Sequence, residues 1–240
     1  MLKIGHRGAC GYEPGNTLRS FRKAIELNVD MVECDAYLTK DNRVVILHYS
    51  DVSKTTNGKG QVKDLTLKEL RKLNAGKGEK IPTLEEVIKV CRNKCKLNVE
   101  IKKMNSAKKV AEIIVKERFV KQTVMSSNHK ESLLGAKKKG IKTALIYWST
   151  VTDFGQILFD ISRVLILPIT KKLILKRAKD ANVNEVNLSL PLATKGMIKF
   201  LHKNKLKVNV WTVNSKKDIK RLKLLAVDGV FTNFPDYFQQ

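Results

Sequence analysis

Aromatic residues make up only 6% of this 240-residue chain, too few for the row of stacking platforms by which proteins hold single-stranded nucleic acid. Acidic residues are scarce beside basic ones: 23 Asp plus Glu stand against 47 Lys plus Arg, a formal charge of +24. That excess favours an anionic partner or surface. The basic residues are nevertheless spread from Lys3 to Lys223 rather than gathered in a tail, so nucleic acid is the weaker reading. Four cysteines, Cys10, Cys34, Cys91 and Cys95, do not make a secreted disulfide framework, and Cys91-x3-Cys95 lacks a His or further Cys at zinc spacing. Reduced core thiols are the expectation.

Long hydrophobic runs are missing too. The most apolar window, "ILFDISRVLILPITKKLIL" (157–175), is interrupted by Asp160, Arg163, Pro168 and Lys171-Lys172, short of the ~18 to 20 unbroken apolar residues of a spanning helix. It could still lie on a membrane surface. No basic head, apolar run and cleavage site precede "MLKIGHRG", so the expected setting is cytoplasmic, with peripheral contact to an anionic membrane as its membrane variant. Linkers and self-similar periods are absent as well, and residues 1–240 are expected to form one domain with a single sizeable core.

What the chain does contain is alternation. Short apolar runs at 2–6, 31–38, 44–48, 96–102, 122–127, 142–147, 184–190, 207–213 and 228–233 are separated mostly by stretches of helical period. Thr17 to Leu27, Thr83 to Arg92 and Ser215 to Leu225 are the clearest helices, the second opened by a Thr83/Glu86 capping box. The pattern predicts a closed (β/α)8 barrel with an irregular segment around residues 39–80. An open doubly wound sheet is the runner-up, although no G-x-G-x-x-G follows the first strand. Nine strand candidates are one too many. The excess falls at "VVILH" (44–48), which only "TKDNR" separates from the strand before it, so either a hairpin or a missing helix is required there.

In such a barrel the C-terminal ends of the strands share one face. Those ends carry His6 and Arg7, Glu33 and Asp35, His48, Glu100 and Lys102, and Trp211. Glu33 and Asp35 are two apart and therefore project to the same side of a strand, with Cys34 on the other. Like charges buried together need a cation, and an all-oxygen set completed by Glu100 suits one divalent ion, Mg²⁺ or Ca²⁺. From spacing alone, the two carboxylates could equally face solvent or pair with lysines. His6 and His48 both end apolar strands, and a pair of imidazoles can take and give a proton near neutrality; taken singly, each is as well read as a structural, hydrogen-bonded residue. Arg7 offers a fork of donors for phosphate oxygens and Lys102 a point charge, while Arg7 could also pair with a carboxylate. His129 and His202 lie in polar helical contexts and carry no functional expectation.

Taken in order, "GHRGACGYEPGNT", "VECD", "VVILH" with "SKTTNGKG", "IPTLEEV", "VEIK" and "WTVN" resemble the motifs of the glycerophosphodiester phosphodiesterases, barrels of the phospholipase C-like phosphodiesterase superfamily. The resemblance implies metal-dependent hydrolysis of a small-molecule glycerophosphodiester to sn-glycerol 3-phosphate and an alcohol. It implies an acid/base pair of His6 and His48, a metal held by Glu33, Asp35 and Glu100, phosphate binding by Arg7 and Lys102, and Trp211 as a wall for the glycerol moiety, where a core-filling indole is the alternative. Two other functions stay open: lysophospholipase D action on lysolipids at an anionic membrane surface, and a catalytically weakened barrel that binds phosphate esters. Four positions depart from the family pattern. Gly15 stands in place of a Glu, Tyr49 of an Asp, Asn128 of an aromatic and Asn233 of an Asp. Glu13 is the nearest carboxylate that could stand in for the one missing at position 15.

Overall fold

Eight of the nine expected strands run parallel and close on themselves. A computed structural model of the chain describes residues 1–148 and 156–239, with 156–166 and 239 described by backbone alone. The strands are β1 (Leu2–Gly5), β2 (Met31–Leu38), β3 (Val44–Ile46), β4 (Lys96–Ile101), β5 (Thr123–Ser127), β6 (Lys142–Tyr147), β7 (Glu185–Ser189), β8 (Lys207–Trp211) and β9 (Gly229–Thr232). Their order is β1-β9-β8-β7-β6-β5-β4-β2-β3, and β1 also pairs with β2, which closes the ring. This is the (β/α)8 barrel.

The ninth strand is the second arm of a hairpin. β3 pairs antiparallel with the upper half of β2, Ala36 opposite Ile46 and Leu38 opposite Val44. The turn is built by "TKDN": Thr39 Oγ1 donates to Asp41 Oδ1 at 2.7 Å and accepts from Arg43 N at 2.9 Å, and Asn42 takes the left-handed φ of 55° that short Asx side chains tolerate. Between the hairpin and residue 80, short 3₁₀ turns and the brief helix α2 (Leu67–Leu70) pack Val52, Val62 and Leu70 against Tyr37 and Leu47. The irregular segment therefore has a small core of its own.

Alternation along β2 decides which side chains reach the barrel interior. Val32 and Cys34 face outward and pack with Phe21 and Ala24 of α1 (Leu18–Glu26) and with Leu84 and Ile88 of α3 (Leu84–Cys91). Met31 faces inward and packs with Ile4, Val124, Ala144 and Phe231. Glu33 and Asp35, two and four residues after Met31, are thus drawn inside with it. Each fully buried large apolar side chain, such as Phe21 or Ile4, contributes about 1.5–3 kcal/mol, which is the reserve that holds charged groups indoors.

The capping box at Thr83/Glu86 forms as expected, and Thr66/Glu69 forms a second. The remaining helices are α4 (Met104–Lys116), α5 (Lys130–Lys138), α6 (Gln156–Asp180), α7 (Lys195–Lys203) and α8 (Lys216–Leu224). The apolar window 157–175 lies on α6; its side chains at 157–166 fall outside the described residues. Among the described residues no helix is long and apolar enough to cross a membrane. The four cysteines are unbridged.

Candidate active site

Site building starts at the end of β1. His6 N donates to Thr232 O at 2.9 Å, one bond beyond the strand, and the chain then turns through two left-handed residues, Arg7 (φ 52°) and Gly8 (φ 85°). A Cβ on Gly8 would come within 2.5 Å of the Ser20 backbone, so only glycine lets α1 press this close to the turn. Ser20 Oγ donates to Arg7 O at 2.8 Å, and Arg7 N donates to Glu33 Oε2 at 2.8 Å. The strained residue is therefore held on both sides, by its carbonyl and by its amide.

His6, Arg7, Glu33, His48, Glu100, Lys102 and Trp211 line one cleft of about 450 Å³. Asp35 lies buried beside it, with Arg7 Nε 3.4 Å from Oδ2 and Lys102 Nζ 3.4 Å from Oδ1. Lys102 Nζ also donates to Glu100 Oε1 at 2.8 Å. The hairpin supplies the remaining imidazole: Leu47 N bonds Asp35 O at 3.1 Å, which brings His48 to the same rim. All eight residues named from strand ends thus converge, and Arg7 makes the carboxylate pair as well.

Electrostatics at the base are dominated by burial. Glu33 is pushed well above the ordinary carboxylate range, first by burial and then by Asp35 and Glu100. Glu100 is raised by burial and by Asp35. For Asp35 burial acts upward too, but Lys102 and Arg7 outweigh it and hold the group low. Lys102 is raised despite burial, because Asp35 and Glu100 favour its charge. Burial and then Arg7 bring His6 from 6.5 to about 4. His48 also falls to about 4, by burial, with Arg7 and Lys102 adding to it against Asp35.

The acidic set fits a hard divalent cation. One ligand oxygen each from Glu33, Asp35 and Glu100 lies within 4.8 Å of the others. Glu33 Oε1 is buried without a hydrogen-bond donor, a costly state for a carboxylate. Three carboxylates against Arg7 and Lys102 leave the ionised cleft one negative charge over. A doubly charged cation reverses this to one positive charge, the complement of a phosphodiester anion.

Several contributors were invisible to strand-end reasoning. Asn16, buried and left-handed (φ 62°), donates Nδ2 to Asp35 Oδ2 at 2.8 Å and accepts from Asp35 N at 3.2 Å. Asn233 Oδ1 lies 2.7 Å from His6 Nδ1. Asn233 is itself held by its N–H on Asn214 Oδ1 at 2.9 Å and by its carbonyl, which accepts from Gly11 N at 3.0 Å. Glu13 does not replace the carboxylate missing at position 15. Its Oε2 is taken by Arg19 Nε at 2.6 Å and Lys77 Nζ at 2.9 Å, at the outer rim. At Gly15 a side chain would start 3.0 Å from Cys10 Cβ and 3.3 Å from Arg7 Cβ. Tyr49 stands edge-on to His48, ring centres 4.3 Å apart. Asn128 lies away from the cleft, its carbonyl accepting from Arg177 Nη2 at 3.2 Å. His202 pairs with Asp228 at 2.9 Å, and His129 precedes α5, so neither joins the cleft.

The model of the glycerophosphoryl diester phosphodiesterase family matches residues 6–237. The chain belongs to that family. A glycerophosphodiester phosphodiesterase of Caldanaerobacter subterraneus subsp. tengcongensis is 32% identical, with 98% of this chain and 95% of that protein aligned. Human lysophospholipase D GDPD1 is 27% identical over 97% of this chain and 83% of its own. A phosphodiesterase of Oleispira antarctica, solved in complex with the product sn-glycerol-3-phosphate, superposes with a TM-score of 0.81 at 24% identity, covering 98% and 94% of the two chains. Phosphoric diester hydrolysis is the family's chemistry, and the phosphodiesterase fold is the one seen here.

Proposed function

We propose that the chain hydrolyses glycerophosphodiesters to sn-glycerol 3-phosphate and an alcohol, with His6 and His48 as the proton-transfer pair. The observation that carries this reading is the single cleft in which three carboxylates, two fixed cations and two imidazoles meet. Glu33, Asp35 and Glu100 would hold one Mg²⁺ or Ca²⁺. Such an ion, when bound, supplies Lewis-acid stabilisation of phosphate charge and lowers the pKa of a neighbouring hydroxyl.

Arg7 and Lys102 bind the phosphate oxygens, the guanidinium as a fork and the ammonium as a point charge. Because Asn233 Oδ1 accepts from His6 Nδ1, the lone pair of that imidazole is at Nε2. Nε2 takes the proton of the glycerol 2-hydroxyl as its oxygen bonds to phosphorus, and His48 gives a proton to the departing alkoxide as the other P–O bond breaks. A phosphodiester anion beside His48 favours its charged form, offsetting the downward push of burial. Water then opens the cyclic phosphate, with the two imidazoles exchanging roles. The test is turnover of glycerophosphocholine with Mg²⁺, Ca²⁺ or chelator. Release of sn-glycerol 3-phosphate that needs the cation is expected, and no release under any condition would overturn this reading and leave lysolipid hydrolysis or phosphate-ester binding.

Asn233 is a positioning residue in this scheme. Asn233→Leu is expected to lower kcat by about 10 to 100-fold, the scale lost with other hydrogen-bonded orienting partners, while KM changes little. Asn233→Asp should restore the acceptor. The His6 ring nitrogens, followed by ¹⁵N NMR, should show Nδ1–H in wild type and in the Asn233→Asp variant, and a tautomer mixture in the Asn233→Leu variant. Equal kcat in all three proteins would remove Asn233 from the mechanism.

A second reading, lysolipid hydrolysis at an anionic membrane, is supported by Ile146, Trp148 and Pro191 along the cleft. Ile169, 66% exposed, and Leu173, 43% exposed, stand among Lys171, Lys172 and Lys176 on α6. It predicts co-sedimentation with phosphatidylglycerol vesicles that disappears in high salt or with phosphatidylcholine alone. Absence of binding to the anionic vesicles would dismiss it.

A further inference from the structure

Inward positions of a (β/α)8 barrel are ordinarily filled by branched aliphatic side chains. Around and below the carboxylates of this cleft the inward positions are instead held by amides and a hydroxyl. Asn98 precedes Glu100 by two residues on β4, Ser126 lies opposite Glu100 on β5, and Asn187 and Asn209 are partners across β7 and β8. All four are 2% exposed or less.

Their hydrogen bonds give each a defined polarity. Ser126 Oγ donates to Asn98 Oδ1 at 2.6 Å, so toward the cleft that Ser126 lines its oxygen offers lone pairs only. Asn209 Nδ2 donates to Asn187 Oδ1 at 3.0 Å and to Glu185 Oε1 at 2.6 Å, and Trp211 Nε1 donates to Asn187 O at 3.0 Å. Asn187, which also lines the cleft, thus has both carbonyls engaged and its amide hydrogens left to offer. Asn98 Nδ2 is buried with no acceptor, and Glu33, its partner in register, has the unsatisfied Oε1. A buried amide without a partner is costly. An acceptor at Ser126 and a donor at Asn187 therefore face the cleft beside Phe231, which lines it too, with Ile4, Met31, Val124 and Ala144 packed toward the starts of the strands as a closed end.

Resting on the phosphodiesterase reading, we infer that this polar floor is the subsite for the free primary hydroxyl of the glycerol moiety, the one remote from phosphate. A hydroxyl both donates and accepts; Ser126 Oγ takes its hydrogen and Asn187 Nδ2 bonds its oxygen. Trp211, tied to Asn187, covers the carbon chain. Since the floor is closed, an acyl ester on that oxygen has no room, and the enzyme selects unacylated glycerophosphodiesters over 1-acyl lysolipids.

The experiment compares kcat/KM for glycerophosphocholine, for 2-hydroxyethyl phosphocholine, which keeps the hydroxyl next to phosphate and lacks the remote one, and for 1-palmitoyl lysophosphatidylcholine. Wild type is expected to prefer the glycerol ester by about 100-fold or more, because sites built around a hydroxyl reject analogues without it. Ser126→Ala and Asn187→Ser should each cut that preference by about 10-fold. Calorimetry with sn-glycerol 3-phosphate and 2-hydroxyethyl phosphate reads the same ratio as Kd, without turnover. Equal use of the two esters by wild type, efficient use of the lysolipid, or variants that weaken both ligands alike would overturn the assignment. Failure of the phosphodiesterase reading looks different: no turnover of any ester, with the Kd ratio still reporting on the floor.

Discussion

His48→Ala is expected to lower kcat for glycerophosphocholine by about 10² to 10⁴-fold, the range supplied by a positioned general acid or base, while the folded state persists. His48 Nδ1 is buried without a partner, so its removal breaks no hydrogen bond, and circular dichroism and Tm should stay close to wild type. His6→Ala should be as slow but leaves Asn233 Oδ1 without its donor, a destabilisation of about 1–3 kcal/mol. The two losses should differ in a way that identifies the roles. An acid is needed only when the leaving alcohol is a poor one. With glycerophospho-p-nitrophenol, whose phenolate departs without a proton, His48→Ala should recover most of the lost rate of the first step, read as the initial burst of p-nitrophenolate release, and His6→Ala should recover none. Wild-type turnover of glycerophosphocholine by either variant would refute that residue's assignment, and recovery in His6→Ala instead would exchange the roles.

Removing the cation should be as damaging. Chelation is expected to abolish turnover, and saturating Mg²⁺ or Ca²⁺ to stabilise the chelated protein by about 2.7 kcal/mol at a hundredfold excess over Kd, some 5 to 10 °C in Tm at about 2–4 °C per kcal/mol. The pH dependence has a definite sign. Glu33 and Glu100 have folded-state pKa values above the unfolded 4.5. In the metal-free protein their stabilisation is therefore complete below about 4.5 and is lost as pH rises through the raised values. Asp35 is shifted down, so its contribution is present above the unfolded value and disappears only in stronger acid. A cation takes the place of the retained proton, releases it, and binds more tightly as pH rises. The gap in Tm with and without cation should accordingly widen from pH 5 to pH 8. Glu33→Gln should weaken binding and flatten that widening. A gap that narrows with pH, or no gap at all, would dismiss Glu33, Asp35 and Glu100 as the metal site.

The strand ends were legible because charge there breaks an apolar run. His6, Glu33, Asp35, His48, Glu100 and Lys102 each interrupt or terminate a short stretch of branched residues, and period two then assigns the face. The supernumerary strand was legible as a problem, and only the antiparallel ladder of β3 on β2 resolved it. The amides were not legible. Asn16, Asn98 and Asn187 carry no charge, fit turns and strand ends alike, and acquire their function from partners elsewhere in the chain, while Asn233 stands out only as a departure from the family motif, with no sign of the contact it makes. The bond from Asn233 to His6 spans 227 positions, and no local pattern encodes it. Glu13 misled for the converse reason: its neighbours in sequence are at the site, while its own carboxylate reaches Arg19 and Lys77.

The pairing of β1 with β9 makes the first strand of the cylinder wait for the last. While a ribosome is still threading residues through its exit tunnel, His6 has long emerged, yet the carbonyl of Thr232 and the amide of Asn233 that orient it, the latter 227 positions further along the chain, are still to come. A nascent polypeptide can collapse, and much of its helical shell can assemble, with the hydrolytic centre still incoherent. Competence should therefore switch on late and all at once, and a protease that clips away β9 should silence the molecule even though every charged group of the cleft survives in the remaining fragment.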